Sequence, residues 1–154
     1  MPKTWNEKLN DSKDYPKVVT IPKKMEKRLG TGKMVIPSAL CVDALMRRVR
    51  KGRLLTIDEI RNALARQHKV TTTCAMVAGI HANIAAKAAD ELENQGKKRV
   101  TPYWRTLKTG GELNPKFPGG VEALKVRLEA EGHTVINKGK RLFVENYQSK
   151  IARL

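Results

Sequence analysis

The sequence predicts a mainly α-helical fold with one small β-hairpin, laid out as a winged helix-turn-helix domain. Three stretches carry that prediction. In "TIDE", Thr56 stands three residues ahead of Glu59, a capping box that opens a helix. "KVTTT", residues 69–73, is a short turn between that helix and a second amphipathic run. "TVINKGKRLFV", residues 134–144, holds two β-prone runs around "NKGK", a hairpin with a basic tip that reads as the wing.

Along the chain, residues 1–37 are rich in lysine and proline, with scattered apolar anchors Trp5, Leu9, Val18, Val19 and Ile21. They are expected to form an irregular basic arm, partly ordered, with a short helix from Lys23 to Leu29 ending at Gly30. The compact domain is expected over residues 38–147, followed by a tail at 148–154. Ser38 caps a helix whose apolar positions are Cys41, Ala44, Leu45 and Val49. Gly52 interrupts "VRKGRLL" before the capped helix, which runs to about His68 and buries Ile60, Ala63 and Leu64. The second helix spans about Thr73 to Glu93, with Met76, Val77, Ile80, Ile84, Ala88 and Leu92 on one face. A glycine- and proline-rich loop, "TPYWRTLKTGGELNPKFPGG", occupies 101–120. After it, Val121, Leu124 and Leu128 mark a last helix that Gly132 closes.

Charge is the strongest bulk signal. The 154 residues include 31 Lys and Arg against 15 Asp and Glu, a formal net charge of +16. A fold does not require that imbalance, whereas a polyanionic partner does, so nucleic acid leads. A membrane surface is disfavoured because no basic amphipathic helix has a bulky apolar face, and no apolar run is long enough to span a bilayer. Candidate DNA contacts are Arg47, Arg48, Arg50, Lys51, Arg53, Lys97, Lys98, Arg99, Lys138, Lys140 and Arg141, with Thr56, Thr72, Thr73 and Gly79 at or near the helix starts. Cys41 and Cys74 have no close spacing, which fits a reducing compartment, and a cytoplasmic monomer is expected. His68, His81 and His133 have no metal-ligand spacing, and no phosphate loop or nucleophile elbow is present. Neither metal nor cofactor is expected.

From about Val42 to His133 the chain resembles the DNA-binding domain of alkylguanine-DNA alkyltransferases. "VRKGRLLTIDEI" is similar to that family's segment leading into the helix-turn-helix. "PYWR" sits where its Pro-Cys-His-Arg belongs, and "GGVEALKVRLEAEGH" is similar to its closing helix. The resemblance implies a duplex DNA partner, an alkylated guanine turned out of the stack, and recruitment of repair proteins. It places the former active-site loop and base pocket at Pro102, Tyr103, Trp104, Arg105, Phe117, Gly119, Gly120 and Glu131.

The departures from that pattern decide the expected chemistry. Tyr103 holds the place of the alkyl-accepting cysteine and Trp104 that of the histidine. A phenol titrating near 10 is a poor nucleophile at neutral pH, so suicidal alkyl transfer is not expected. This resembles the alkyltransferase-like proteins, which bind the lesion without repairing it, although those carry tryptophan at the cysteine position. Met76 falls in the slot of the arginine that holds the target base out, and Ile57 replaces a tyrosine. Met76 is expected in the core, since methionine fills packing gaps; the alternative is an apolar wedge in the minor groove. Tyr103 and Trp104 either stack on an extruded base or plug the pocket from inside. Cys74, at the start of the second helix, is read as a small buried side chain, the alternative being a relocated alkyl acceptor. Three rival functions follow: sequence-tolerant DNA or RNA binding on the same scaffold, alkyl transfer through Cys74, and a protein adaptor using residues 1–37.

Overall fold

A computed structural model describes residues 2–154. Helix accounts for 49% of the chain and strand for 16%, in agreement with a mainly helical fold. The helix-turn-helix forms where the capping box predicts it. Helix α4 (Ile57–His68) starts after Thr56, whose backbone N–H and hydroxyl both donate to the Glu59 carboxylate, at 2.7 and 2.9 Å. It ends at Lys69 in the left-handed conformation, and α5 (Ala75–Asn94) follows. The predicted hairpin is β6 (Val135–Lys138) paired antiparallel with β7 (Arg141–Val144), and Gly139 supplies the positive φ of 65° in its turn.

The segment expected to be an irregular arm is largely built structure. Helix α1 (Trp5–Asn10) has a complete capping box from Thr4 and Glu7. The backbone N–H groups of Trp5 and Asn6 donate to Glu91 of α5 at 2.9 and 3.0 Å, and Leu9 is buried. Strand β1 (Lys17–Thr20) pairs antiparallel with β2 (Lys33–Ile36), and between them lies α2 (Glu26–Leu29), ending at Gly30 as predicted. The "KVTTT" turn contributes β4 (Thr72–Thr73), parallel to β2. These pairings join strands that are far apart in sequence, and two-residue strands carry no periodicity of their own.

Two stripes differ from the sequence pattern. Helix α3 (Ala39–Arg47), capped by Ser38, buries Val42, Leu45 and Met46, while Ala44 is exposed. On α5 the buried face is alanine: Ala78, Ala82, Ala85, Ala86, Ala88 and Ala89. Helices α1 and α3 pack against that face. A methyl-lined helix surface lets neighbouring backbones approach closely; Ile84 packs at the edge of the core, and Met76 and Ile80 turn outward. Met76 is 72% exposed and Ile80 51%. The expected core position for Met76 is therefore corrected.

The 101–120 loop is fixed at several points. The Thr101 hydroxyl donates to the buried Asp43 carboxylate of α3 at 2.6 Å. Strand β5 (Thr106–Leu107) runs parallel to β3 (Leu55–Thr56), which leads directly into α4. Between these ties, Arg105 donates to the Val49 carbonyl at 2.7 Å and to both oxygens of Glu131, at 2.9 Å from Nε and 2.7 Å from Nη2. Glu131 follows α6 (Gly120–Ala130), and its side chain is only 8% exposed. Burial alone would raise the Glu131 carboxyl, but hydrogen bonds from Arg105 and Trp104 hold it below its ordinary value of 4.5.

Glu131→Gln should cost about 3 kcal/mol in urea denaturation at pH 7, because the buried Arg105 charge loses its partner. Since the folded carboxyl is depressed, its contribution is complete above about pH 4.5 and disappears as pH falls through the folded value. The acid limb of the wild-type stability curve should thus be shallower in the variant. Leu9→Ala should cost about 2 kcal/mol by the same assay. An unchanged midpoint would mean that α1 is not part of the cooperative unit.

Candidate nucleic-acid interface

The pairing of β3 with β5 brings the start of α4 and the end of the YWR turn to the same place. There a cavity of about 320 Å³ opens between the N-terminal turns of α4 and α5 and the loop. Its walls include Ile57, Gly79, Ala82, Thr106 and Phe117, with Lys108, Glu112 and Arg141 at its polar side. A second hollow adjoins it, sharing Ala75 and Gly79 and adding Met76, Ile80 and Lys116. Met76 thus stands in solvent on the wall of the adjoining hollow, one turn before Gly79, which lines both.

Of the two alternatives for the aromatic pair, the rings pack into the interior rather than line open space. Tyr103 is 2% exposed and packs edge-to-face on Trp104 at 5.3 Å and on Phe117 at 6.0 Å. Neither Tyr103 nor Trp104 lines the cavity; Phe117 is the ring that does. The volume beside Tyr103 is filled by protein, and the open space lies one ring further out. Burial pushes the Tyr103 phenol above its ordinary value, with the Arg127 charge opposing part of that shift. Trp104, half-buried, donates its indole N–H to Glu131 at 2.9 Å, and the Arg127 guanidinium lies 4.2 Å over its ring. Arg127 is in turn held by Glu93 of α5 at 2.7 Å.

Of the other predicted pocket residues, Pro102, Arg105 and Glu131 support the loop from behind. Gly119 and Gly120 make the turn into α6, with φ of 81° and 70°. A Cβ on Gly119 would stand 2.6 Å from that of Ala123, so only glycine fits there.

The predicted DNA contacts separate into groups. Gly79 lines the cavity and Met76 the adjoining hollow, and Lys138 and Lys140 are exposed at the hairpin tip. Thr56 and Thr73 are corrected: both are buried, and the Thr73 hydroxyl donates to the Arg61 carbonyl at 2.7 Å. The Thr72 hydroxyl is half-buried and accepts from Arg61 at 3.4 Å. Lys97, Lys98 and Arg99 follow the far end of α5, about 30 Å of helix from Met76. Arg50, Lys51 and Arg53 are exposed but do not line the cavity; Arg50 and Arg53 line a different groove.

Sequence reasoning missed Glu112, Lys108 and Thr106. Glu112 is 5% exposed and accepts from Arg141 Nε at 3.0 Å, with the Lys108 ammonium at 3.7 Å. The Arg141 hydrogen bond, against some opposition from burial, holds its carboxyl below the ordinary range. This pair fastens the hairpin to the loop. Glu112 is the only carboxylate in 101–120, and that isolation was the one signal for it. Thr106 is 3% exposed, and its hydroxyl has no protein partner among the described residues.

His133 is buried and His68 and His81 are half-buried, and burial lowers the pKa of His81 and His133. Among the described residues no group of three or more His, Cys, Asp or Glu is placed to hold a metal, and no helix is long and apolar enough to cross a membrane. Cys74 is half-buried at the N-cap of α5, where its backbone N–H donates to Val35.

No known protein-family profile matches the chain, and no curated protein matches it. Solved structures do. Atl1 of S. pombe, in complex with damaged DNA containing O6-carboxymethylguanine, superposes with a TM-score of 0.51 at 17% identity. The match covers 75% of this chain and 94% of that one. A second structure, S. pombe ATL in complex with DNA, has a TM-score of 0.47 at 14% identity over the same shares. Across three quarters of its length, the chain has the fold of the alkyltransferase-like protein Atl1.

Proposed function

We propose that this protein binds duplex DNA through the start of α5 and the β6–β7 hairpin, and receives an extruded base in the cavity walled by Ile57, Gly79, Thr106 and Phe117. The observation that carries the proposal is Met76. A large apolar side chain that is 72% exposed in the hollow adjoining a cavity, on the second helix of a helix-turn-helix, has no role in the core. It suits a wedge that fills the gap left by a base turned out of the stack. Lys116 beside the cavity and Lys138 and Lys140 at the hairpin tip, all exposed and outside any ion pair, supply positive charge for the flanking phosphates. The unpartnered Thr106 hydroxyl is a buried group left for a ligand to satisfy.

Alkylated guanine is the base class proposed, by likeness to Atl1, whose structure contains O6-carboxymethylguanine. No group is transferred to the protein in this proposal. The residue at the nucleophile's position, Tyr103, is a phenol made less acidic by burial and screened from the cavity by Phe117.

Met76→Ala should weaken binding to an alkylguanine duplex about tenfold, or 1.4 kcal/mol, in a fluorescence anisotropy titration. Gly79→Leu should weaken it further without lowering the melting temperature. No atom lies within 4 Å of a Cβ at Gly79, and leucine is the better helix former. Equal affinities for plain and alkylguanine duplexes would leave DNA binding standing and remove lesion recognition. Intact-mass measurement after incubation with alkylated DNA should show no added alkyl group. A mass gain mapped to Cys74 would replace the binding proposal with an enzymatic one.

A further inference from the structure

Twelve of the 31 basic residues are arginines, and five of them are tied down by protein acceptors. Arg47, Arg105, Arg127 and Arg141 each hold a carboxylate, and Arg61 donates to the Thr73 carbonyl. Five others form a different set. Arg48, Arg50 and Arg53, from the turn after α3, line a groove of about 720 Å³ together with Arg153 from the C-terminal segment. Arg153 also lines the adjoining hollow along α4, which Arg66 borders. The C-terminal segment is fixed there by backbone hydrogen bonds between Leu54 and the chain at Lys150 and Ala152. All five arginines are exposed, and among the described residues none has a carboxylate within 4.0 Å. Glu59 borders the same hollow, but its Oε1 is taken up by the cap on Thr56.

We propose that this arginine stripe is a second nucleic-acid site, a phosphate-backbone track that takes a DNA segment other than the one at the cavity. Its direction follows from helix geometry. At about 100° per residue, the α4 positions bordering the stripe, Glu59, Asn62 and Arg66, lie roughly 140–200° around the helix from Ile57, which lines the cavity. The cavity and the arginine groove share no lining residue. A stiff duplex seated over the cavity therefore leaves the stripe on the other side of α4, free for a second one.

Phosphate is the ligand chemistry the stripe favours. Planar guanidinium groups pair with phosphate oxygens in a bidentate fashion, and a run of them suits a ligand whose charge repeats. The walls between the arginines offer only Ile151 and Ala152, with no set of side-chain pockets to select a peptide sequence. Five unneutralised charges along one surface repel one another and are relieved by a polyanion. With two such faces, one protein molecule links two duplexes.

The test uses the full chain and the variant Arg48→Gln/Arg53→Gln/Arg153→Gln, whose substitutions are all at exposed positions. Inorganic polyphosphate, which has no bases, should bind the wild type and the Gly79→Leu variant alike, and the triple variant at least tenfold more weakly. Two duplexes carrying different fluorophores should show energy transfer with the wild type. The triple variant should lose that transfer while keeping its Met76-dependent binding of a single duplex. Unchanged polyphosphate binding by the triple variant would overturn the proposal. So would polyglutamate competing as well as polyphosphate, which would make the partner an acidic protein segment. Failure of the cavity proposal reads differently: Met76→Ala and Gly79→Leu would be silent while the triple variant still lost phosphate binding.

Discussion

One guanidinium holds the 101–120 loop in place. Arg105 reaches the carbonyl of Val49 behind α3 and both oxygens of Glu131 behind α6, so three distant stretches of chain meet at one charge. The pair is nearly enclosed, with side chains 14% and 8% exposed, and a buried ion pair is stable only when its remaining hydrogen bonds are made. Trp104 supplies one of them to Glu131. From this fixed point β5 can lie against β3, and that pairing sets the distance between Thr106 and Ile57 across the cavity. The Glu112–Arg141 pair then secures the hairpin to the same loop.

A second constraint is the alanine face of α5. Six buried alanines admit α1 and α3 at close range and leave no room for larger side chains. Met76 and Ile80 consequently project into solvent on the turn that borders the cavity. The same packing that completes the core equips the proposed interface with its wedge. Exposing apolar side chains of this size beside an open cavity gives the core nothing, which is why their position carries weight for function.

The distribution of arginine separates structural from functional charge. Five guanidinium groups, those of Arg47, Arg61, Arg105, Arg127 and Arg141, have a carboxylate or a carbonyl; five others, Arg48, Arg50, Arg53, Arg66 and Arg153, have neither and line the adjoining hollows shared by the turn after α3, α4 and the C-terminal segment. The net charge of +16 is therefore not spread evenly. Basic residues are numerous in residues 1–37, at the hairpin, at the end of α5 and along the stripe.

By itself the sequence determined the elements with strong local signals. The capping box at Thr56, the cap at Ser38, the tight hairpin around Gly139 and the glycine turn into α6 are each encoded within a few residues, and each forms as read. The basic balance is likewise a property of composition. Tertiary structure decided what depends on partners far along the chain. The sheet of β1, β2 and β4 pairs Met34 with Thr72, 38 residues further on, and its shortest strand is two residues long. Which face of α5 is buried depended on how closely its neighbours approach, so the largest apolar residues misled the periodicity. Thr56 and Thr73 read as polar contacts in the sequence, yet the fold turns their hydroxyls inward. Whether Tyr103 met open space rested on Phe117, fourteen residues away in the chain. Local chemistry fixes caps and turns because their atoms are adjacent in sequence; cavities and surfaces are made by contacts that only the folded chain brings together.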